Sequence, residues 1–176
     1  MTIQRDDALK FMETILPMVT LNIENDGFLT PVAFLLVRVS PETGKRLEKP
    51  VMSICPLPWK NRAEKLWMQE QLRDVARRLD AELVLLVTEA WYAEGLTPQQ
   101  QQEAEAHIEE HGSLAGFPNI RERVVARLEY GTGAEFWEAE IERADKRVHL
   151  APFENTERNQ PHAILHFGVD NPHLTN

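Results

Sequence analysis

The sequence has almost no cysteine. Cys55 is the only one among 176 residues, so no disulfide can form within the chain and a zinc site built from the cysteines of one chain is excluded. The sequence also lacks the run of about 18 apolar residues that a membrane-spanning helix needs. Near the N-terminus, Arg5, Asp6 and Asp7 stand where a secretory signal would place a basic segment followed by an apolar one. These absences predict a soluble, cytoplasmic protein with no membrane contact.

Positive charge is missing from a long central stretch. The chain has 19 basic and 28 acidic residues and a formal net charge of −9, yet no Lys or Arg lies between Leu79 and Ile120, where eight acidic residues occur. This balance argues against a general nucleic-acid binder. Two interpretations remain open. The stretch is a solvated acidic helix and loop, or it imitates nucleic acid and binds a basic partner, in which case binding would weaken steeply with salt.

Motifs for phosphate binding and for a cysteine nucleophile are absent as well. Gly44 lies between Thr43 and Lys45, without the preceding glycine and following Ser or Thr of a phosphate-binding loop. Cys55 has no histidine beside it, and we interpret it as a small core residue. No cofactor is predicted.

Two nearly continuous apolar runs predict the centre of a sheet. The segment AELVLLVTEAWYA (81–93) contains five consecutive apolar residues, 83–87, which must be covered on both faces. The run VAFLLVRV (32–39) should lie beside it. The shorter segment VMSIC (51–55) should form a hairpin with the second run, and Pro56 ends it.

Three helices are predicted from apolar spacing and end signals. The first covers residues 6–19, with Pro17 limiting its extension. The second and clearest covers residues 61–79, with Trp67 in its core-facing set. The third, from about Thr97 to Gly112, has little apolar face and should pack loosely.

Opposite alternation in two later segments predicts a β-hairpin. In RERVVARLEY (121–130) the even positions are apolar, whereas in AEFWEAEIER (134–143) the odd positions are. The register that we predict pairs Leu128 with Trp137 on one face, and Arg127 with Glu138 and Arg123 with Glu142 on the other. Trp137 should therefore face the core.

The order of elements predicts an α+β fold. Residues 1–153 should form a single domain with a mixed or mainly antiparallel sheet of about five to six strands and with helices on one face. Residues 154–176 should form a polar linker and a C-terminal edge segment. This order resembles that of small scaffold modules of the profilin or roadblock type, a resemblance of element order that implies no particular activity.

Two clusters could hold a metal ion. The sequence His107-Ile-Glu-Glu-His111 fits a zinc-protease pattern in which His107 and His111 bind the metal and Glu110 activates water, although the surrounding helix is rich in Gln and Glu. In the predicted hairpin, several carboxylates could hold divalent ions in a nuclease: Glu129, Glu138, Glu140 and Glu142. The arginines opposite them offer a simpler explanation, a structural ladder of ion pairs.

The best candidates for a binding surface are amphipathic side chains at the ends of elements. These are Trp59, Glu89, Trp91 and Tyr92. Together with the missing catalytic motifs, they lead us to expect a non-catalytic protein-interaction or regulatory module that binds a protein partner or itself, with an exposed edge strand able to supply a homodimer contact. The alternative is a metal-dependent hydrolase that uses His107, Glu110 and His111 or the hairpin carboxylates.

Overall fold

The computed structural model describes residues 3–59, 62–93, 96–111, 114, 116–131, 133–145 and 147–156. The helices of this part of the chain are α1 (Arg5–Asp26), α2 (Arg62–Arg78) and α3 (Pro98–His111). Its strands are β1 (Val32–Val39), β2 (Arg46–Pro56), β3 (Ala81–Ala93), β4 (Ile120–Tyr130), β5 (Gly133–Ala144), β6 (Arg147–Leu150) and β7 (Glu154–Thr156). They form one antiparallel sheet in the order β2-β1-β3-β4-β5-β6, with β7 paired to β5. The predicted α+β fold is confirmed.

Strand β3 lies in the interior of the sheet, between β1 and β4. Within residues 83–87, the odd-numbered side chains, such as Leu85, pack in a core with α1, and the even-numbered ones, such as Val84, pack in a second core with α2. The prediction that helices cover one face is therefore wrong: α1 and α2 lie on opposite faces. The physical reason is the apolar run itself, because successive strand residues point to opposite faces and both must be shielded from water.

Helix α1 is longer than predicted because Pro17 does not stop it. The helix continues to Asp26 with Pro17 inside, exposed to solvent. A proline within a helix costs about 3 kcal/mol, but the turns beyond it bury Val19 and Ile23 against the sheet, which offsets that cost. Gly27 ends the helix in the left-handed conformation (φ 79°), and its N–H donates to the Ile23 carbonyl.

Helix α2 confirms the predicted segment and corrects the position of Trp67. Leu72, Ala76 and Leu79 are buried, and Met68 is packed beside them. Trp67 is 58% exposed. It precedes Leu72 by five residues, which places it about 140° around the helix from the buried stripe, whereas Met68 lies one turn from Leu72.

The β4–β5 hairpin forms as predicted, but its register differs by two residues. Leu128 pairs with Glu135 instead of Trp137, Arg127 with Phe136 instead of Glu138, and Arg123 with Glu140 instead of Glu142. Alternation alone does not distinguish registers two residues apart, because both keep every side chain on its face. The shorter connection prevails: Tyr130 pairs with Gly133 across two residues, the loop length that hairpins favour.

Two further observations explain why this register suits the hairpin. A Cβ on Gly133 would lie 2.7 Å from the Tyr130 ring, so the ring occupies the space that glycine leaves open. The Tyr130 hydroxyl donates to Glu135 at 3.1 Å. Trp137 is half-buried against the core that contains α1, so it faces the core as predicted.

The end of the described chain adds two short strands beside β5. Strand β6 pairs with residues 141–144, and β7 pairs with residues 136–138. Glu154–Thr156 thus form a strand within the segment that we predicted as a polar linker. The remainder of that segment, residues 157–176, lies outside the described residues, as does Gly112, the predicted end of the third helix.

Candidate interaction surface

Strand β2 forms one edge of the sheet. It pairs only with β1 among the described strands, and no side chain of β2 is buried. Three large apolar side chains on it are exposed, Val51 by 43%, Met52 by 46% and Ile54 by 54%. An edge strand with exposed apolar side chains offers both unpaired backbone hydrogen-bonding groups and apolar surface. Another strand can pair with such an edge.

The pairing with β1 divides β2 into two halves. Residues 51–56 pair one to one with residues 37–32, and the register then jumps so that Val39 pairs with Arg46. Residues 47–50, which include Glu48, Lys49 and Pro50, fall in this irregularity. Charges, proline and bulges are the devices that protect edge strands from pairing. The second half, residues 51–56, has no charge and keeps a regular strand.

One hydrogen bond establishes which backbone groups of β2 point outward. The Leu57 N–H donates to the Pro31 carbonyl at 2.7 Å, so these two residues form a hydrogen-bonded pair in the β1–β2 register. Such pairs alternate along an antiparallel ladder. Val51, Ser53 and Cys55 therefore direct their N–H and C=O groups toward β1. The N–H groups of Met52 and Ile54 point away from the sheet.

The side chains of this half alternate between the two faces. Met52 and Ile54 pair with Leu36 and Phe34, whose side chains join the core on the α1 face. Val51, Ser53 and Cys55 lie on the α2 face. Cys55 is half-buried against that core, and burial raises the pKa of its thiol, partly opposed by a hydrogen bond with Ser53. Both faces of the edge thus carry apolar or neutral side chains.

The structure does not bring the four predicted binding residues together. Glu89 and Trp91 lie on the α1 face of β3, and Tyr92 lies on the other face. Trp59 follows β2 in the chain, packs against the α2-side core, and has the Lys65 ammonium 5.7 Å from its ring centre. Of the four, Trp59 is the one that follows directly on the exposed half of β2.

Glu89 and Tyr92 are both engaged with neighbouring residues. The Glu89 carboxylate accepts the Leu29 N–H at 2.5 Å, and burial raises its pKa. The Tyr92 hydroxyl contacts the Glu138 carboxylate at 3.5 Å, and the Arg123 guanidinium lies 5.4 Å from its ring centre. These contacts connect Tyr92 to the charged network of the neighbouring strands.

Three of the four hairpin carboxylates, Glu129, Glu138 and Glu140, are paired with arginines. Arg127 Nε lies 2.6 Å from Glu129 Oε1, with side chains 8% and 3% exposed, and Arg123 donates to Glu138 at 2.9 Å. Arg121 lies 3.8 Å from the Glu140 carboxylate. A ladder of ion pairs was predicted, but Arg127 and Arg123 each contact a different glutamate from the one expected. Burial lowers the pKa of Arg127, and the Glu129 carboxylate opposes that shift.

The predicted metal-binding helix, α3, is exposed. The ring centres of His107 and His111 are 4.4 Å apart, and His111 Nε2 lies 3.7 Å from the Glu110 carboxylate. The side chains of His111 and Glu110 are both more than half exposed. Ala104 is the one described residue of α3 that is buried. No group of three or more His, Cys, Asp or Glu side chains within the described ranges could hold a metal ion.

Met52 and Ile54 were not predicted as surface residues. The sequence of residues 51–55 predicted a hairpin strand, and the predicted binding residues lie at the ends of elements. A signal was present: Pro50 and Pro56 stand on either side of five uncharged residues, and proline within strands is confined to edges, strand starts and bulges.

No helix in the described part of the chain is long and apolar enough to cross a membrane. Comparison with protein-family models, with curated proteins and with solved structures gives no match.

Proposed function

We propose that this chain is a cytoplasmic, non-catalytic interaction module that binds an extended protein segment along the outer edge of β2. The observation that carries the proposal is the exposed half of β2, residues 51–56, where outward N–H groups lie beside exposed apolar side chains. A strand added to a sheet edge gains affinity from main-chain hydrogen bonds and specificity from alternate side chains. Met52 and Ile54 supply both kinds of contact.

The charge of the segment supports a protein partner in preference to nucleic acid. Residues 51–56 contain no Lys or Arg, and the whole chain carries −9. Nucleic-acid affinity depends on neutralising phosphates with basic side chains. A neutral, apolar strand instead matches a partner strand that is itself uncharged.

A backbone-directed substitution tests the proposal. Because the Met52 N–H points away from β1, Met52→Pro removes an outward donor and leaves the β1–β2 ladder intact. Peptides of about ten residues, selected from a displayed random library on the immobilised protein, should lose about tenfold in affinity toward this variant, the equivalent of one lost hydrogen bond. Fluorescence anisotropy measures the affinity.

The matched control is Leu21→Lys, which changes an exposed apolar residue on α1 and should leave peptide affinity unchanged. Thermal melts followed by circular dichroism establish that both variants fold. The proposal fails if the selected peptides bind the Met52→Pro variant as tightly as the wild type, or if the library yields no binder.

A further inference from the structure

We infer that the occupant of the β2 edge is the β2 strand of a second copy of this chain, paired antiparallel across a twofold axis at Ser53. The inference rests on the proposed function and names the partner. An isologous pairing of this kind joins two sheets into one continuous sheet, and it requires that the strand be complementary to itself.

The positions of the prolines support an axis at Ser53. Pro50 and Pro56 lie three residues before and three residues after Ser53. Proline cannot donate to a ladder, so it bounds a pairing segment. A twofold axis at Ser53 aligns the proline at the start of each strand with the proline at the end of the other, and the whole segment between them is paired.

The outward donors match in the same register. Met52 then lies opposite the partner's Ile54, and these are the residues whose N–H and C=O groups point outward. Each such pair exchanges two hydrogen bonds, and symmetry makes a second pair. Ser53 faces the partner's Ser53 as a pair without backbone hydrogen bonds between them, and in such pairs the side chains come closest.

The side chains also match on both faces. On the α1 face, Met52 meets the partner's Ile54; on the α2 face, Val51 meets the partner's Cys55. No charge is removed from water, because residues 51–56 are uncharged. A shift of two residues toward the start of the strand would instead place Lys49 against the partner's Cys55.

The size of the contact indicates a weak dimer. Each copy contributes three large exposed side chains from one short strand. Stable interfaces bury about 1,200–2,000 Å² in total, and smaller ones belong to transient complexes. We expect a dissociation constant of about 1–100 μM, so that the dimer dissociates on dilution.

Disulfide trapping tests the register. In the Cys55→Ala background, Ser53→Cys places two thiols across the axis at a Cα separation of about 4.5 Å, within the range of about 4.4–6.8 Å that a disulfide accepts. In a glutathione redox buffer, at protein concentrations of about 100 μM, the upper end of the expected dissociation constants, most of this variant should become a covalent dimer. The control is Leu21→Cys in the same background, an exposed position on α1 away from β2, which should remain largely monomeric.

Sedimentation equilibrium of the untagged proteins provides the second measurement. The wild type and Leu21→Lys should form a dimer that dissociates on dilution, and Met52→Pro should be monomeric at all concentrations. A wild-type monomer at millimolar concentration, a dimer that persists in Met52→Pro, or equal cross-linking at positions 53 and 21 would overturn the inference. A monomer that still binds selected peptides through Met52 would refute self-pairing and leave the proposed function standing.

Discussion

At the scale of single residues, Glu89 is a carboxyl group whose surroundings oppose its charge. Burial raises its pKa most, the Leu29 N–H and Arg143 lower it, and Glu122 raises it further. Because the folded-state pKa lies above that of the unfolded chain, about 4.3 for glutamate, the folded state holds this proton more tightly. The contribution of Glu89 to stability is therefore greatest at low pH and is lost as pH rises through the folded-state pKa.

Glu89→Gln should remove this part of the pH dependence. The amide oxygen can still accept the Leu29 N–H, and the amide does not titrate. Urea denaturation between about pH 4 and pH 7, a range that begins below the ordinary glutamate pKa, should show a smaller loss of stability with rising pH in this variant than in the wild type. Glu42→Gln, in the exposed β1–β2 connection, should keep the wild-type slope. Identical slopes for Glu89→Gln and the wild type would contradict the prediction.

At the scale of elements, strand β4 carries a charge pair that is buried beside an apolar core. Arg127 and Glu129 are both buried, on the face that packs against α2. Glu129→Ala should destabilise the protein by about 3–5 kcal/mol because it leaves the Arg127 guanidinium buried without its counter-charge. The free energy of unfolding from urea titration measures the loss.

The double variant Arg127→Met/Glu129→Leu is the matched control. Replacing both charges with apolar side chains of similar size removes the desolvation cost of both and should restore most of the lost stability. If the double variant is less stable than Glu129→Ala, the pair contributes more than charge compensation, and the prediction is wrong.

Some elements of the fold could be predicted from the sequence and others could not. The apolar runs of β1 and β3 were predictable because a strand that is covered on both faces needs apolar residues at successive positions. The stripe of α2 was predictable because burial of one helix face imposes a helical repeat. The extension of α1 past Pro17 was not, because it depends on tertiary burial of Val19 and Ile23. The hairpin register was predictable only to within two residues.

The candidate surface was harder to predict from the sequence than the fold was. Whether a strand lies at an edge depends on the strand order, which pairs β1 with both β2 and β3, and residues 51–55 do not specify that order. The sequence-based candidates Glu89 and Tyr92 lie in the last five residues of β3, where alternation puts them on opposite faces. Proximity in sequence within a strand is a poor guide to a shared surface.

At the scale of the whole molecule, stability should be unevenly distributed. The cores on the two faces meet at β3, whose residues 83–87 are almost completely buried, whereas α3 buries only Ala104 among its described residues. Regions with few buried apolar contacts open at a small fraction of the global unfolding free energy. We therefore expect α3 to open without unfolding of the two cores.

Hydrogen exchange followed by mass spectrometry should show this difference directly. Amides of α3 should exchange within about one to two orders of magnitude of the rates of an unstructured peptide, whereas those of α1 and β3 should exchange near the rate set by global unfolding. The comparison with α1 is the internal control, because both segments are helical and differ in the apolar surface they bury: Met12, Ile15 and Ile23 on α1 are almost completely shielded. Equal protection of the two helices would mean that α3 unfolds together with the sheet. Its acidic face would then belong to the rigid surface of the molecule.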